Sequence, residues 1–450
     1  MQNGLDNPMQ YRVSYSRFFR IKVVMKNIEI TVLKNGATVA TSAVEDAESV
    51  SFGVWAKVGG RYEKSAQSGM SHFLEHMLFK GTPTRSALQV SQAIEGCGGY
   101  LNAFTQEEST CYYARLPHEF MPRAVDVLTD MYVNASVKQD DLERERDVII
   151  EEIKMYQDQP QSYVTELLQD AMFVNHALGR PLAGSEKSLR PVDRAAMMDF
   201  KAKAYVPSAT VFAFAGRLTH EACVACVEKA FGHVAKGKRL TFPPTTDATK
   251  QRRFVIARKE IAQVHAVAGF RVFGRHDNRR FALRVLNGIL GENMSSRLFQ
   301  SVREKHGLCY SISSSYQLFD ETGMFTISGG FDAQRAEAAL KLTAKEVRRV
   351  LDKKISVQEL KRTKDYLLGT FRLGLEGTGS QMLLIGESLL HYGRVVMPEE
   401  VIRGIQAVTA DDIQRVAADV FAPDRMTLSL VVPNAQPQGE ADWLNTFAGL

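Results

Sequence analysis

The 450-residue chain has little of several features that define whole classes of protein. No apolar run approaches the ~18 residues of a bilayer-spanning helix, so the sequence predicts no membrane span. Its 56 basic residues barely outnumber its 51 acidic residues, too small an excess over this length to indicate nucleic-acid binding. With 45% hydrophobic and 24% charged residues, the composition is that of an ordinary globular protein, which excludes a disordered or collagen-like chain.

Cysteine is scarce, and its number is odd. The scattered cysteines predict reduced thiols rather than a disulfide framework; they are Cys97, Cys111, Cys223, Cys226 and Cys309. We therefore expect a reducing compartment, the bacterial cytoplasm first, with the mitochondrial matrix or another compartment left open. The N-terminal residues are rich in arginine and lysine but lack the apolar core of a secretory signal. They leave open a transit peptide, a loose extension, or a true start at Met25.

Two pairs of segments repeat each other weakly along the chain. Residues 138–147 resemble residues 356–365 at an offset of 218, and residues 205–210 resemble residues 421–426 at an offset of 216. Two similar offsets in the same order predict the duplication of a unit of ~200 residues. Strand-like alternation and helical periods are mixed irregularly within each copy, which favours an α+β fold over a regular βαβ alternation.

The boundary between the two copies is predicted from composition. Residues 236–253 are polar and include a pair of prolines, which is typical of an extended linker. We therefore predict an N-terminal extension at 1–27, a first domain at 28–235, this linker, and a second domain at 254–450. Most of the segments that contain candidate catalytic or metal-binding residues lie in the first domain.

The most informative segment is residues 69–79, with the sequence GMSHFLEHMLF. At 100° per residue, its large apolar side chains share one helical face, and His72, Glu75 and His76 lie on the opposite face. Histidines four residues apart stand one above the other, so both imidazoles can reach one zinc ion. Glu75 lies beside them and can take a proton from a water molecule on that zinc. A solvated polar face is the alternative for this segment taken alone.

The order His-x-x-Glu-His resembles the signature of the inverzincins, the reversed zinc-peptidase motif of the pitrilysin/insulinase family. Residues 77–82, MLFKGT, look like the small-subunit branch, which includes the catalytic subunit of mitochondrial processing peptidase and its bacterial relatives. The resemblance implies a third zinc ligand, a glutamate about 76 residues beyond the second histidine, and this count reaches Glu152. It also implies an orienting carboxylate at Glu145.

The local sequence around Glu152 agrees with that assignment. Residues 140–156 have a helical period, and the two aspartates that begin this stretch can cap the helix. Glu145 and Glu152 are seven residues apart, so they stack at the edge of the apolar stripe of this helix. Glu151 points to another side of the helix and is not chosen as a ligand.

Further matches implied by the resemblance concern the substrate. Asn102, Ala103 and Phe104 lie in a segment similar to the family's edge strand beside the zinc, where an extended peptide pairs as an added strand. In the second copy, Arg303 and Tyr310 match a pair that contacts the substrate, with Arg303 at a peptide carbonyl and Tyr310 at the oxyanion. A surface arginine and a core tyrosine are the alternative for this pair.

Together, the matches imply a zinc endopeptidase with one Zn²⁺ per chain, held by His72, His76 and Glu152, with Glu75 as general base. Each domain would be a mainly antiparallel sheet packed with helices, and the second would be a zinc-free companion. Two chains would close a clam-shaped chamber, as a homodimer or as a heterodimer with a zinc-free paralogue. Unfolded peptides or presequences are the expected substrates. A structural or non-catalytic subunit of a heterodimeric processing peptidase is the alternative.

Overall fold

The computed structural model describes residue 25, residues 28–245, residues 253–435 and residues 443–446. The extension predicted for residues 1–27 therefore lies outside the described residues, except for Met25, which is buried. Among the helices in these ranges, none is long and apolar enough to cross a bilayer.

The described strands form two β-sheets, and the described helices pack against them. The strands are β1 (Ile28–Val32), β2 (Thr38–Ala43), β3 (Ser49–Ala56), β4 (Tyr100–Thr105), β5 (Thr110–Pro117), β6 (Thr210–Gly216), β7 (Arg253–Lys259), β8 (Gln263–Phe273), β9 (Cys309–Leu318), β10 (Thr322–Asp332) and β11 (Met426–Pro433). The helices of the first half are α1 (Met70–Leu78), α2 (Ala87–Glu95), α3 (Met121–Asn134), α4 (Gln139–Asp158), α5 (Pro160–Met172), α6 (Glu186–Leu189), α7 (Arg194–Ala204) and α8 (His220–Phe231). Those of the second half are α9 (Arg280–Leu290), α10 (Ala336–Asp352), α11 (Val357–Gly374), α12 (Thr378–Tyr392), α13 (Pro398–Ala407), α14 (Ala410–Val420) and α15 (Trp443–Thr446), and a π-helix covers Phe299–Lys305.

The two sheets share one topology. The first has the order β1-β2-β6-β3-β5-β4, and the second has the order β7-β11-β8-β10-β9. Without β1, the strands of the first sheet follow one another in the same relative order as those of the second. The pairs β2–β6 and β7–β11 are parallel, and the other pairs are antiparallel. The predicted fold of two homologous α+β domains with mainly antiparallel sheets is therefore confirmed.

The helices repeat at the intervals read from the sequence. Helix α4 begins at Gln139 and α11 begins at Val357, which is 218 residues later. The interval between Pro160 of α5 and Thr378 of α12 is also 218 residues. Helix α14 follows α7 at the second offset, 216 residues. The weak sequence repeat therefore marks equivalent positions in two copies of one fold.

The two halves of the chain exchange a helix. Helix α5 of the first half packs on the second sheet, where Leu168 shares a buried apolar cluster with Val267 and Val431. Helix α12 of the second half packs on the first sheet, where Met382 lies against Trp55 in another cluster. The division of the chain at residues 236–253 stays a prediction, and the packing of α5 and α12 crosses it in both directions. Each sheet thus depends on the other half for part of its apolar cover.

The exchange of α12 gives a testable expectation. A Cβ added to Gly386, in the interior of α12, would lie 2.0 Å from Nε1 of the buried Trp55. We expect Gly386→Ala to destabilise the protein by about 1–3 kcal/mol, because a rigid ring has to move in a packed core. The matched control is Gly369→Ala within α11, where a Cβ meets nothing within 4 Å. This control should be stabilising by up to about 1 kcal/mol. Denaturant unfolding of both variants measures the difference, and equal effects would contradict the packing described.

Candidate metal centre

Helix α1 is fixed by its apolar face. Phe73, Leu74 and Met77 are fully buried against the first sheet and its other helices. The helix begins after Gly69, whose φ of 91° lies in the left-handed region, and a Cβ there would lie 2.6 Å from the carbonyl oxygen of Ala183. Only glycine fits this entry without strain. The predicted two-faced helix is present, and its polar face is turned away from the core.

Helix α4 supplies the second wall of the site. Its residues Leu142 and Ile149 are buried in the core of the first domain. The prediction that Asp140 and Asp141 cap this helix is wrong, because the N-cap position is Lys138 and the two aspartates lie in the first turn. Their negative charges there still favour the positive end of the helix dipole.

Side chains of α1 and α4 meet in a compact cluster. Nε2 of His72 lies 3.2 Å from Nε2 of His76. Oε2 of Glu152 lies 3.8 Å from the first of these nitrogens and 3.7 Å from the second. The ligand atoms of all three residues lie within 4.8 Å of one another. The structure thus brings together the three residues that were predicted from sequence as metal ligands.

The donor set of this cluster fits zinc. Two imidazole nitrogens and a carboxylate oxygen are ligands that zinc prefers, and two ligand atoms of a tetrahedral zinc with bonds of ~2.0–2.1 Å lie ~3.3–3.4 Å apart. Burial, and then the neighbouring His76, lower the pKa of His72 to about 4, so this imidazole is neutral near pH 7. A histidine must be neutral to bind a metal ion. The distances and the neutral state of His72 therefore suit a metal ion better than an ion pair.

A hydrogen bond to Glu145 orients His76. Nδ1 of His76 lies 2.9 Å from Oε1 of Glu145, whose other oxygen lies 2.5 Å from Nζ of Lys80. Burial alone would lower the pKa of His76, but the bond and charge of Glu145 raise it. Burial alone would raise the pKa of Glu145, but the bonds from His76 and Lys80 lower it. With Nδ1 engaged by Glu145, Nε2 faces the cluster, as a carboxylate-oriented metal ligand does.

The two other carboxylates are also held in place. Oγ1 of Thr105, at the end of β4, donates to Oε2 of Glu75 at 2.5 Å. Burial raises the pKa of Glu75, and the bond from Thr105 opposes this shift. The hydroxyl of Tyr156 donates to Oε1 of Glu152 at 3.0 Å. One oxygen of each carboxylate is therefore held by a hydroxyl, and Oε2 of Glu152 faces the two histidine nitrogens.

Sequence reasoning missed three of these partners. Tyr156 lies four residues beyond Glu152 on α4, so helical spacing was an available signal for this contact. Lys80 lies beyond the end of α1 and pairs with Glu145 of α4, which helical spacing does not indicate. Thr105 carries no such local signal, because its contact with Glu75 depends on how β4 is placed beside α1.

The predicted substrate residues of the first domain lie on an edge strand. Strand β4 is an edge strand of the first sheet. The amide of Ala103 donates to Oδ1 of its neighbour Asn102 at 2.8 Å. The ring of Phe104 packs edge-on against Trp55, with centroids 5.5 Å apart. Since successive side chains of a strand alternate, Phe104 is on the face opposite to Thr105. Strand β4 therefore joins the site through Thr105 and its main chain.

Arg303 and Tyr310 lie apart from this cluster. The guanidinium of Arg303, in the π-helix, lies 5.2 Å from the ring centroid of Tyr310 at the start of β9. Tyr310 is 81% exposed, so it is not a core residue. Within the described ranges, no hydrogen bond, ion pair or ring contact joins either residue to His72, Glu75 or their neighbours. The structure pairs these two residues with each other and does not bring them to the metal cluster.

Comparison with known proteins identifies the family. Residues 38–186 match the family described as Insulinase (Peptidase family M16), and residues 191–367 match the family described as Peptidase M16 inactive domain. A Mycobacterium tuberculosis protein described as an uncharacterized zinc protease is 38% identical over 395 residues, which cover 87% of this chain and 90% of its own. A Bacillus subtilis protein with the same description is 36% identical and covers 89% and 97%.

A solved structure has the same fold. The crystal structure of a protease from Helicobacter pylori matches with a TM-score of 0.87 at 21% identity, over 91% of this chain and 100% of that chain. Two homologous domains of this topology define the class, a two-domain peptidase fold. The chain belongs to the insulinase family of peptidases, M16, as its motifs indicated.

The ligand role of Glu152 can be tested against its neighbour. We expect Glu152→Gln to weaken zinc binding more than about 100-fold, because it removes a ligand charge rather than an outer partner. The matched control is Glu151→Gln, since Glu151 is 71% exposed and pairs with Lys154 instead. Competition with a chromogenic chelator measures both affinities. Equal affinities for the two variants would remove Glu152 from the ligand set.

Proposed function

We propose that the protein is a zinc-dependent endopeptidase that hydrolyses extended peptides or presequences. The observation that carries the proposal is the cluster of His72, His76 and Glu152 with Glu75 beside it, next to an edge strand. The naming of its relatives as zinc proteases supports the same chemistry. One zinc ion per chain would be held by the two histidines and Glu152.

The residues around the cluster suit peptide hydrolysis. Bound zinc would supply Lewis-acid polarisation of the scissile carbonyl and of the attacking water. Glu75 takes a proton from that water at the oxygen that Thr105 leaves free, and then delivers it to the leaving amine. Burial raises the pKa of Glu75, which makes its carboxylate a better base near neutral pH.

The substrate would bind along β4. An edge strand presents unpaired main-chain groups, and an extended peptide can add to it without regard to most side chains. The amide of Ala103 is held by the side chain of Asn102, which is exposed and can turn away when a peptide arrives. This mode selects unfolded peptides, because a folded chain has no free strand to offer.

The second domain would complete the site from a distance. Tyr310 is exposed beside Arg303, so both side chains are available to a bound peptide. Closure around the substrate would bring Arg303 to a peptide carbonyl and Tyr310 to the oxyanion. A closed chamber would require two chains, in a homodimer or in a heterodimer with a zinc-free paralogue. The match to a domain described as inactive covers residues 191–367, outside the cluster, and so does not favour a purely structural role.

A reducing compartment suits the protein. All five cysteines are free thiols in the structure. We propose the cytoplasm of a bacterium, where such thiols persist.

The role of Glu75 is tested by a substitution that keeps its shape. We expect Glu75→Gln to lower kcat by about 10²–10⁴-fold while zinc stays bound, since the base is lost and the ligands remain. Cleavage of a mixed quenched-peptide library and the zinc content of the purified variant are the measurements. Glu151→Gln is the control and should cleave like the original protein. Full activity of Glu75→Gln would exclude this mechanism, and zinc binding without cleavage by the original protein would indicate a missing partner chain.

Strand addition is tested at Ala103. Ala103→Pro removes the amide hydrogen that an added strand would use, and an edge strand tolerates proline at an outward-facing amide. We expect kcat/KM to fall about tenfold for every peptide, the loss of one hydrogen bond of about 1.4 kcal/mol. Ala103→Ser keeps the amide and is the control. A loss confined to some peptide sequences would instead indicate recognition of side chains.

A further inference from the structure

The helix that carries both histidines begins without a cap of its own. The N-cap position of α1 is Gly69, which has no side chain to accept a hydrogen bond from the first turn. A buried carboxylate from an earlier loop takes that place. Oε2 of Glu63 accepts from the amide of Gly69 at 2.8 Å, and Oε1 accepts from the amide of Ser71 at 2.6 Å. Each oxygen of Glu63 therefore accepts a hydrogen bond from one amide within the three residues that precede His72.

Glu63 occupies an unfavourable place for a charged group. It is 6% exposed, and burial raises its pKa to about 7 against the opposing effect of the amides of Ser71 and Gly69. Arg180 donates to the carbonyl oxygen of Glu63 at 2.6 Å and fixes its main chain. Burial of a carboxylate is costly unless it is fully hydrogen-bonded, and the positive end of a helix is the place where it costs least.

The residues just before Glu63 are anchored where the two halves meet. Arg61 is fully buried and pairs with Glu108 of the first half and with Glu321 of the second half. The ring of Tyr62 packs edge-on against Phe242, with centroids 4.9 Å apart. Three consecutive residues therefore tie the start of α1 to the junction of the halves.

The ligand atoms of the cluster depend on where α1 sits along its axis. His72 is the residue after Ser71, and His76 is one turn further along the same rigid helix. Glu152 comes from α4, which Glu63 does not touch. A slide of α1 by ~1 Å along its axis would change the distances of His72 and His76 from Glu152, and displacements of this size at a site are enough to cost function.

We propose that Glu63 is a positioning residue, whose carboxylate fixes the N-terminus of α1 to the anchored loop and thereby sets the distance of His72 and His76 from Glu152. The proposal rests on the proposed function, since the position of α1 matters through the metal cluster. Glu63 touches neither the metal ligands nor the substrate strand, so its effect passes through the main chain of α1.

The test compares zinc affinity and kinetics in three variants of the full chain. Glu63→Ala removes both acceptors, and Glu63→Gln keeps the shape with only one acceptor oxygen. Thr219→Ala removes an ordinary helix cap, that of α8, where Oγ1 accepts from Ala222. Chelator competition gives the zinc affinity, measured well below the unfolding temperature of each variant. We expect Glu63→Ala to bind zinc about 10–100-fold more weakly, an effect as large as the loss of a group that orients a metal ligand.

The other readouts separate positioning from stability. Glu63→Gln should bind zinc with an affinity between those of the original protein and Glu63→Ala, and at saturating zinc both should lose kcat with little change in KM. Thr219→Ala should lower the unfolding temperature and leave zinc affinity unchanged. If Glu63→Ala does not fold, Glu63→Gln decides the matter, and original zinc affinity and kcat in that variant would overturn the proposal. Absence of zinc binding by the original protein would overturn the proposed function instead.

Discussion

The packing of one short helix on one sheet governs the rest of the site. Helix α1 has nine residues, and its buried side chains hold it against the first sheet while its polar face carries His72, Glu75 and His76. The third candidate ligand, Glu152, belongs to a different helix, so the cluster exists only if two helices share one rigid support. Close packing of an apolar core supplies that rigidity, since small shifts in it are resisted from every side.

Around this support, three polar groups of the site have a partner that limits their freedom, whereas Nδ1 of His72 is buried without a hydrogen-bond partner among the described residues. Glu145 turns the ring of His76, Thr105 holds one oxygen of Glu75, and Tyr156 holds one oxygen of Glu152. Preorganised groups do not have to be reordered when a substrate arrives, which is why such contacts matter for catalysis. The site therefore consists of the candidate ligands and base, together with a set of hydrogen-bond partners that orient them.

Much of this architecture can be predicted from the sequence, for reasons that are local. The faces of α1 follow from a period of 3.6 residues, and the duplication follows from two offsets that recur in the helices. The assignment of Glu152 as a ligand follows from the interval after His76 that the family resemblance supplies, and not from the helical period alone. The exchange of α5 and α12 and the bond of Thr105 could not be predicted, because they join residues far apart in sequence. The contacts of Glu63 span only a few residues, but they depend on the path of an irregular loop for which the sequence has no periodic signal. The cap assigned to Asp140 and Asp141 was wrong by two to three residues, because helix ends vary by this much around a periodic pattern.

The exchanged helices also change what a cut in the backbone would do. A protein whose domains are joined by a linker alone falls into two pieces when that linker is cleaved. Here each half still holds a helix of the other, with Leu168 seated on one sheet and Met382 seated on the other. Separation of the pieces would require both helices to be withdrawn from apolar cores, so it would be as slow as unfolding. A nicked molecule would therefore migrate as one particle under native conditions and as two fragments only after denaturation.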